Sequence, residues 1–311
     1  MKTALPSWND NNTKESILSF IQTVTDPESA SFVPLLKRIA TFDNDGTLWL
    51  EKPLFIQLQF GLRAIYKLAA EKPELRERQP FNAVYEKDML WLGKVSSDYA
   101  KGDMQGVMAL GSGYLEAFDG ISVEEFEQAA LEFLNNSLDA HFKKPYKLLT
   151  YQPMVELVHT LQENGFRVFI TTGGGRDFVC AVCEEIYNIP SYMTIGSSVA
   201  FEYKEDTLGI AQVLHTKETE LPIDDGPGKP PHIHRSIGRR PIMAAGNSNG
   251  DIHMLKYTGG TKGLSLGLLV HHDDPAREYA YDVGAEIALQ LAPKEGWIIV
   301  SMKNDWKRIF N

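Results

Sequence analysis

The sequence predicts an α/β fold with a parallel sheet, and three features of the chain support this. After Thr150, short runs of β-branched and apolar residues alternate with amphipathic helical segments. Such alternation is typical of strand–helix–strand units, whose strands run parallel. A further apolar run precedes Asp43, and a long helical block separates it from the rest. The block is therefore predicted to be an insertion after the first strand.

Five apolar runs are predicted to be the strands. Each is short, rich in Ile, Val, Leu, Phe or Ala, and lies beside glycine, proline or polar residues. The segment 152–165 between the first two runs has Pro153 at its start and Gly165 just past its end, which is typical of a helix. The predicted strands are residues 37–42, 166–172, 241–246, 265–272 and 296–302.

Residues 53–150 are predicted to form a helical domain. The stretch that opens at Pro53 keeps its apolar residues on one broad face, and Ser122 and Glu125 have the spacing of a capping box. The glycine-rich residues 110–120 are predicted to be a loop or bend. Two domains follow: an α/β core formed by residues 1–52 and 151–311, and an inserted helical domain formed by residues 53–150.

Composition excludes several classes of protein. The 311 residues are 43% hydrophobic and 23% charged, which is ordinary for a globular protein. The net charge of −10 argues against a nucleic-acid partner, and no apolar run is long enough to span a membrane. Because the N-terminus lacks the apolar centre of a signal peptide, we expect a cytoplasmic protein, or a periplasmic one if a leader was removed. Cys180 and Cys183 are predicted to be reduced cysteines on a helix.

Three predicted strands end in polar or glycine-rich segments. The first is followed by Asp43 and Asp45, the second ends at Thr172 before three glycines, and the third is followed by Asn247 and Asp251. Ligands of open parallel sheets bind outside the carboxyl ends of the strands. We therefore expect these segments to converge on one site.

The residue types at these strand ends suit phosphoryl transfer. A carboxylate can attack phosphorus to form an aspartyl-phosphate, and a second carboxylate can protonate the leaving oxygen and then activate water. Two acids and a phosphate repel one another, so a divalent cation is expected, and Mg²⁺ prefers such oxygen ligands. Thr172 and the backbone amides of Gly173 and Gly174 can bind phosphate oxygens. The basic stretch 229–241 offers Lys229 and three arginines as a further cation.

In this order, the segments DNDGT, TTGGG, a lysine and GNSNGD resemble the four motifs of the haloacid dehalogenase-like (HAD) superfamily. The resemblance covers about residues 37–260 and is closest to phosphoserine-phosphatase-like phosphatases with a helical cap of the C1 type. It implies a Rossmann-like core, Asp43 as nucleophile, Asp45 as general acid/base, and Lys229 with Thr172 as phosphate ligands. It also implies that Asp43, Asp45, Asn247 and Asp251 form the Mg²⁺ side of the site. Asp251 could instead orient Lys229.

One residue departs from the family pattern, because its phosphatases usually have Asp where Asn247 stands. An amide oxygen can still bind Mg²⁺, but one negative charge is lost. Glu51, close after the first motif, is predicted either to contact a substrate amine or to be a solvated acid. His232 and His234 are predicted to have a surface or supporting role. Residues 271–275 are predicted to cap a helix or to line the rim of the site.

The expected function is Mg²⁺-dependent hydrolysis of a small phosphomonoester, of which a phosphoserine-like metabolite is one candidate. A phosphotransferase of the same fold is the first alternative. A phosphate-binding regulatory protein without turnover is the second, and Asn247 is the feature that keeps it open. A dehalogenase is disfavoured, because the resemblance implies that those enzymes lack the acid at Asp45. The sequence does not reveal the oligomeric state.

Overall fold

A six-stranded parallel sheet forms the centre of the chain, which confirms the predicted α/β fold. The computed structural model describes residues 4–99 and 103–310. The strands are β1 (Ile39–Phe42), β2 (Arg167–Gly175), β3 (Thr194–Ser197), β4 (Val199–Glu205), β5 (Ala211–Thr219), β6 (Met243–Gly246), β7 (Leu266–His271) and β8 (Ile298–Ser301). The strand order in the sheet is β3-β2-β1-β6-β7-β8, and every neighbouring pair is parallel.

Helices occupy most of the chain between the strands. Those of the predicted α/β half follow the expected alternation, and the helix at Gln152–Glu163 begins next to Pro153 and ends before Gly165. The helices of the described residues are α1 (Asn12–Thr25), α2 (Ile56–Glu71), α3 (Phe81–Glu86), α4 (Met89–Tyr99), α5 (Gln105–Ala117), α6 (Val123–Asn136), α7 (Gln152–Glu163), α8 (Arg176–Tyr187), α9 (Lys229–Ile237), α10 (Ile252–Gly259), α11 (Glu286–Glu295) and α12 (Met302–Asp305).

One face of the sheet is covered by α9, α10 and α11. Ile233, Leu255 and Ala288 from these helices pack in one buried cluster with residues from the strands, such as Phe169 and Ala244. The central strand β1 is buried along its whole length, as expected for a strand covered on both faces. The buried strands fix where their carboxyl ends lie, and therefore where the residues after them are placed.

The chain divides into two compact units. The first contains residues 1–53, 134–197 and 222–311, and the second contains residues 54–133 and 198–221. The second unit begins at residue 54, next to the predicted start of the insertion at residue 53, but its first segment ends at residue 133 rather than 150 and it also contains residues 198–221. Residues 149–151 belong to the first unit, where Leu50 N donates to Leu149 O and Tyr151 N donates to Leu48 O in the segment that follows β1. That the second unit acts as a helical cap stays a prediction.

The second unit contains a β-hairpin that was not predicted. Strands β4 and β5 form an antiparallel pair, and His215 in β5 stacks on Phe126 of α6 with ring centroids 4.6 Å apart. A bridge between Ser122 and Leu214 ties the hairpin to the start of the same helix. The hairpin therefore joins the helical block through contacts with residues far away in sequence.

The glycine-rich residues 110–120, predicted to be a loop, mostly belong to helix α5. A Cβ on Gly113 would lie 2.5 Å from Pro80 Cγ, and one on Gly106 would lie 2.5 Å from Val95 Cγ2. These glycines allow the helix to approach its neighbours closely, so tertiary packing overrides their low helix propensity. Among the described residues, no helix is long and apolar enough to cross a membrane.

Candidate active site

Several of the predicted site residues lie at the carboxyl ends of three neighbouring strands, at one edge of the sheet. β1 is flanked by β2 and β6, and Asp43, Thr172 and Asn247 lie at the carboxyl ends of these strands. Asp43 N donates to Ala245 O at 2.9 Å, which extends the pairing of β1 with β6 by one residue. The backbone of Asp43 is thus held by the sheet, and its side chain is largely buried.

Lys229 joins two of the predicted acids. Its ammonium Nζ donates to Asp43 Oδ1 and Asp251 Oδ1, both at 2.6 Å, and to Thr171 O at 3.1 Å. The side chain is 2% exposed, so three acceptors saturate a buried cation. Lys229 is also the first residue of α9, so this helix and its packing on the sheet place it. The arginines of the stretch 229–241 do not take this position.

Asp251 uses both of its carboxylate oxygens within the site. Oδ1 accepts from Lys229, and Oδ2 accepts from the backbone amides of Asn247 and Ser248, each at 3.0 Å. A Cβ on Gly246 would lie 2.4 Å from Asp251 Cγ, so only glycine permits this approach. The arrangement suits a role in orienting Lys229 and in shaping the loop after β6. Both oxygens already have partners other than a metal.

At both Asp43 and Lys229, burial and the neighbouring opposite charges shift the pKa in opposite directions. Burial, followed by the neighbouring Asp251 carboxylate, raises the pKa of Asp43 well above its usual range, against the lowering effect of Lys229. Burial lowers the pKa of Lys229, but the Asp251 and Asp43 carboxylates raise it by more, so the net shift is upward. Lys229 is therefore a stable ammonium. A further cation beside Asp43 would favour its ionised, nucleophilic form.

Asp45 lies two residues beyond the nucleophile candidate in a different environment. Its Oδ1 accepts a hydrogen bond from Trp49 Nε1 at 2.8 Å. Burial is the main cause that raises the pKa of Asp45 to about 7, and Glu51 adds to the increase while the Trp49 hydrogen bond opposes it. A carboxyl group with such a pKa can donate a proton near neutral pH and take one back, which suits a general acid/base.

Thr47 and Asn247 complete the other side of Asp43. Thr47 Oγ1 lies 3.5 Å from Asp43 Oδ2 and 3.2 Å from Asn247 Oδ1. The side-chain nitrogen Nδ2 of Asn247 donates to Glu51 Oε1 at 3.2 Å. Glu51 is itself buried and accepts a second hydrogen bond from Tyr281 OH. Glu51 therefore contacts the loop after β6 directly, a contact that was not predicted.

The oxygen atoms near Thr47 fit a magnesium ion. Asp43 Oδ2 and Asn247 Oδ1 both lie within 3.5 Å of the Thr47 hydroxyl oxygen. Within residues 4–99 and 103–310, no group of three or more His, Cys, Asp or Glu side chains could hold a metal. Mg²⁺ suits this sparse set because it takes few protein oxygens and keeps several waters. Asp43 and Asn247 are the residues best placed to hold it.

The predicted phosphate-binding residues Thr172, Gly173 and Gly174 lie at the carboxyl end of β2. Thr172 is fully buried, and its Oγ1 accepts from Gly174 N at 3.1 Å. The pairing of β2 with β3 is irregular between Thr172 and Gly175, and helix α8 begins only at Arg176. The glycines therefore form a bulged strand end rather than the first turn of the helix. Gly173 is exposed, and the Asp225 side chain lies against it.

The segment after β7 supports the turn that carries Asp45. His272 Nε2 lies 2.8 Å from Gly46 O, and its Nδ1 lies 3.0 Å from Glu278 Oε2. A carbonyl only accepts, so Nε2 carries a proton and donates it. The Tyr281 ring stacks on the His272 ring at 4.4 Å. The motif 271–275 was noticed in the sequence, but only the fold shows which residues it contacts.

The remaining histidine and cysteine candidates lie in other contacts. His232 Nε2 is 2.9 Å from Pro222 O, and His234 Nδ1 is 3.4 Å from Tyr257 OH. Cys180 and Cys183 are both free thiols on α8, as predicted. Among the described contacts of these four side chains, none involves Asp43, Lys229 or Asp251.

The chain belongs to the haloacid dehalogenase-like hydrolase family, whose model matches residues 40–256. This confirms the resemblance stated from the four motifs. A comparison with curated proteins finds none that matches the sequence.

Two solved structures resemble the fold over most of the chain. A conserved protein of unknown function from Anaerococcus prevotii DSM 20548 has a TM-score of 0.57 at 16% identity, covering 94% of this chain and 93% of that one. A protein of unknown function from Bordetella pertussis Tohama I has a TM-score of 0.52 at 15% identity, covering 85% and 98%. At such identities the likeness shows the fold alone.

A third structure is less similar. A phosphoserine phosphohydrolase-like protein from Francisella tularensis subsp. tularensis SCHU S4 has a TM-score of 0.41 at 17% identity, covering 82% of this chain and 99% of that one. A score this low supports no argument about activity.

Proposed function

We propose that this chain is a Mg²⁺-dependent phosphatase that hydrolyses a small phosphomonoester through an aspartyl-phosphate on Asp43. The observation that carries the proposal is the buried contact of Lys229 with Asp43 and Asp251, with Asp45 two residues further on. A site of this kind presents a nucleophile, a cation for the phosphoryl group and a separate proton donor. Family membership supports a hydrolase, and the presence of both Asp43 and Asp45 favours phosphoryl transfer as the reaction.

In the first step, Asp43 attacks phosphorus while the bond to the leaving oxygen breaks. Asp45 gives its proton to that oxygen, so the product leaves as a neutral alcohol. Lys229 holds Asp43 in place and offsets negative charge at the phosphoryl group. A bound Mg²⁺ would supply further charge neutralisation between the carboxylates and the phosphate.

In the second step, water attacks the phosphorus of the aspartyl-phosphate. Asp45, now ionised, takes a proton from that water, and the bond between phosphorus and the Asp43 oxygen breaks. Inorganic phosphate leaves and both carboxyl groups return to their starting states. His272 holds the Gly46 carbonyl next to Asp45 and so fixes the turn that aims this acid.

The proposal is tested by measuring phosphate release from p-nitrophenyl phosphate with Mg²⁺ and with chelator. We expect metal-dependent turnover that falls to background in Asp43→Asn and by about 100-fold or more in Asp45→Asn. Asp26→Asn is the matched control, because Asp26 is an exposed turn residue and asparagine can form the same turn. Full activity in Asp43→Asn would contradict the assignment of the nucleophile.

A second measurement resolves a negative result. If the wild-type chain releases no phosphate with any divalent metal, beryllium fluoride is titrated in the presence of Mg²⁺. Binding that is lost in Asp43→Asn would indicate an intact site that does not accept the generic substrate, and a panel of metabolites including phosphoserine would follow. No binding would favour the alternative of a regulatory protein without turnover. Phosphate transfer to added alcohols would identify a phosphotransferase.

A further inference from the structure

The amide of Asn247 faces two different partners. Its Nδ2 donates to Glu51 Oε1 at 3.2 Å, and its Oδ1 accepts from Thr47 Oγ1 at 3.2 Å. A carboxylate oxygen can only accept, so Glu51 fixes the nitrogen of the amide on its own side. The amide oxygen is thereby fixed on the side of Thr47 and Asp43. Glu51 thus determines which atom of Asn247 faces the predicted metal position.

The contact between Glu51 and Asn247 is enclosed. Glu51 is 7% exposed and Asn247 is 1% exposed. A Cβ on Gly46 would lie 2.0 Å from Asn247 Nδ2 and 2.9 Å from Glu51 Cδ, so the backbone of the catalytic turn packs directly on the pair. Tyr281 OH donates to the same Glu51 oxygen at 2.5 Å. The ammonium of Lys52 lies 3.9 Å from this oxygen and is an opposite charge that faces the pair.

An aspartate at position 247 would be incompatible with Glu51 in its present position. Two carboxylate oxygens would face each other across about the distance of the present hydrogen bond, with no proton between them. Like charges so close in a buried site repel strongly. The amide at 247 and the carboxylate at 51 are therefore matched, because the amide donates a hydrogen bond to Glu51 that a second carboxylate could not donate.

We infer that Glu51 is a positioning residue that orients Asn247 as a metal ligand and supplies the negative charge of this side of the site through the hydrogen bond between them. The inference rests on the proposed function, because it assumes that Asn247 Oδ1 binds the divalent cation. Partners that hydrogen-bond a metal ligand commonly change metal affinity by tenfold or more when altered. The same pairing assigns Glu51 to the metal side of the site, whereas the sequence suggested either a contact with a substrate amine or a solvated acid.

The test is a titration with Mn²⁺ as the probe, in which the electron paramagnetic resonance signal of free Mn²⁺ gives the Kd without substrate. Glu51→Gln keeps a side-chain oxygen for Asn247 but removes the charge, and we expect Mn²⁺ binding about tenfold weaker or more. Asn247→Asp is expected to bind no more tightly than wild type, despite its added charge. The double variant exchanges amide and carboxylate, and we expect its Kd to return to within about threefold of wild type.

Two controls separate these effects from changes in folding or total charge. Asn135→Asp adds the same charge on the exposed surface of α6 and should leave the Mn²⁺ Kd unchanged. Thermal melting of each variant shows whether the fold persists. Recovery of binding in the double variant is a result that general damage from two site substitutions would not produce.

Three outcomes would overturn the inference. The first is tighter Mn²⁺ binding in Asn247→Asp with Glu51 present, and the second is purely additive effects of the two substitutions on the Kd. The third is an unchanged Kd for Mn²⁺ in Glu51→Gln. A raised KM in that variant would then indicate that Glu51 contacts the substrate instead. Because the titration contains no phosphoester, a chain that shows the coupling but releases no phosphate contradicts the proposed function alone. A phosphatase with additive effects contradicts this inference alone.

Discussion

At the scale of single residues, Gly46 illustrates how tightly the catalytic turn is built. Its φ of +73° lies in the left-handed region, its carbonyl accepts from His272, and its amide donates to Trp49 O. The space that a side chain would need is filled by the Asn247 amide and the Glu51 carboxyl group. The left-handed conformation and the close packing therefore both require glycine at position 46.

We predict that Gly46→Ala lowers both stability and activity. The left-handed backbone should cost about 1 kcal/mol, and displacement of Asn247 should add to it. Displacement of the amide should also reduce phosphate release by roughly 100-fold, since small misplacements at a reacting centre cost this much. Denaturant unfolding and the p-nitrophenyl phosphate assay check the two effects.

Gly296→Ala is the matched control for this prediction. Gly296 has the same φ of +73°, but a Cβ there would have no atom within 4 Å, and the residue ends α11 away from the catalytic turn. The control should show the backbone cost with normal activity. Equal activity losses in the two variants would mean that backbone strain, and not contact with Asn247, explains the effect.

At the scale of elements, the start of α6 confirms a local sequence signal. Ser122 N donates to Glu125 Oε2 at 2.8 Å, and Glu125 N donates to Ser122 Oγ at 3.1 Å, which is the predicted capping box. The adjoining Ser122–Leu214 bridge attaches the hairpin at the same point. One cap therefore supports both a helix and the segment that pairs with it.

We predict that Ser122→Ala lowers the free energy of unfolding by about 1 kcal/mol, because it removes one of the two hydrogen bonds of the cap. Denaturant unfolding followed by circular dichroism measures this change. Ser112→Ala is the comparison, since Ser112 is an exposed residue within α5, where alanine is the better helix former. A neutral result for Ser122→Ala would show that the cap does not limit stability.

The sequence was sufficient for the three strands whose carboxyl ends carry the candidate site. The predicted strands at residues 37–42, 166–172 and 241–246 correspond to β1, β2 and β6, because buried parallel strands appear as continuous apolar runs. Their order along the chain and the polar residues after them were enough to predict a common site. The family match then confirmed the resemblance.

The sequence was insufficient where the fold brings distant residues together. The contact between Glu51 and Asn247 spans 196 positions, and that between Gly46 and His272 spans 226. The choice of Lys229 over the nearby arginines depended on the family resemblance and not on a physical signal. The hairpin was missed for a similar reason, since His215 stacks on Phe126 of α6, which is far away in the chain. No periodicity within a segment reports such contacts.

At the scale of the whole molecule, buried acids make stability depend on pH. The chain has a net charge of −10. Asp224, just before α9, is fully buried, and neither of its carboxylate oxygens has a hydrogen-bond partner among the described residues. Burial is the main cause that raises the pKa of Asp224 to about 8, with Asp225 and Asp251 adding to the increase and Lys229 opposing it.

The sign of the resulting pH dependence follows from proton binding. Between the ordinary Asp pKa of 3.8 and about 8, folded Asp224 keeps a proton that the unfolded chain releases. The folded state therefore binds more protons, and stability falls as pH rises through this range. The stabilising effect is fully present below pH 3.8 and is lost as pH rises through 8. His232 Nδ1 lies 3.9 Å from Asp224 Oδ1, so His232 is a group that would interact with an ionised carboxylate here.

We therefore predict that Asp224→Asn becomes progressively more stable than wild type as pH increases. An amide resembles the protonated acid in size and carries no charge at any pH, so the variant lacks this contribution to the pH dependence. Between pH 5 and pH 8, the unfolding free energy of the variant minus that of wild type should increase by up to roughly 4 kcal/mol. This follows from about 1.4 kcal/mol per unit of pKa. Urea unfolding at half-unit pH steps measures it, with exposed Asp26→Asn as the variant expected to run parallel to wild type. If the Asp224→Asn curve also ran parallel, the carboxyl group would have to be ionised in the folded protein, with a partner for its charge.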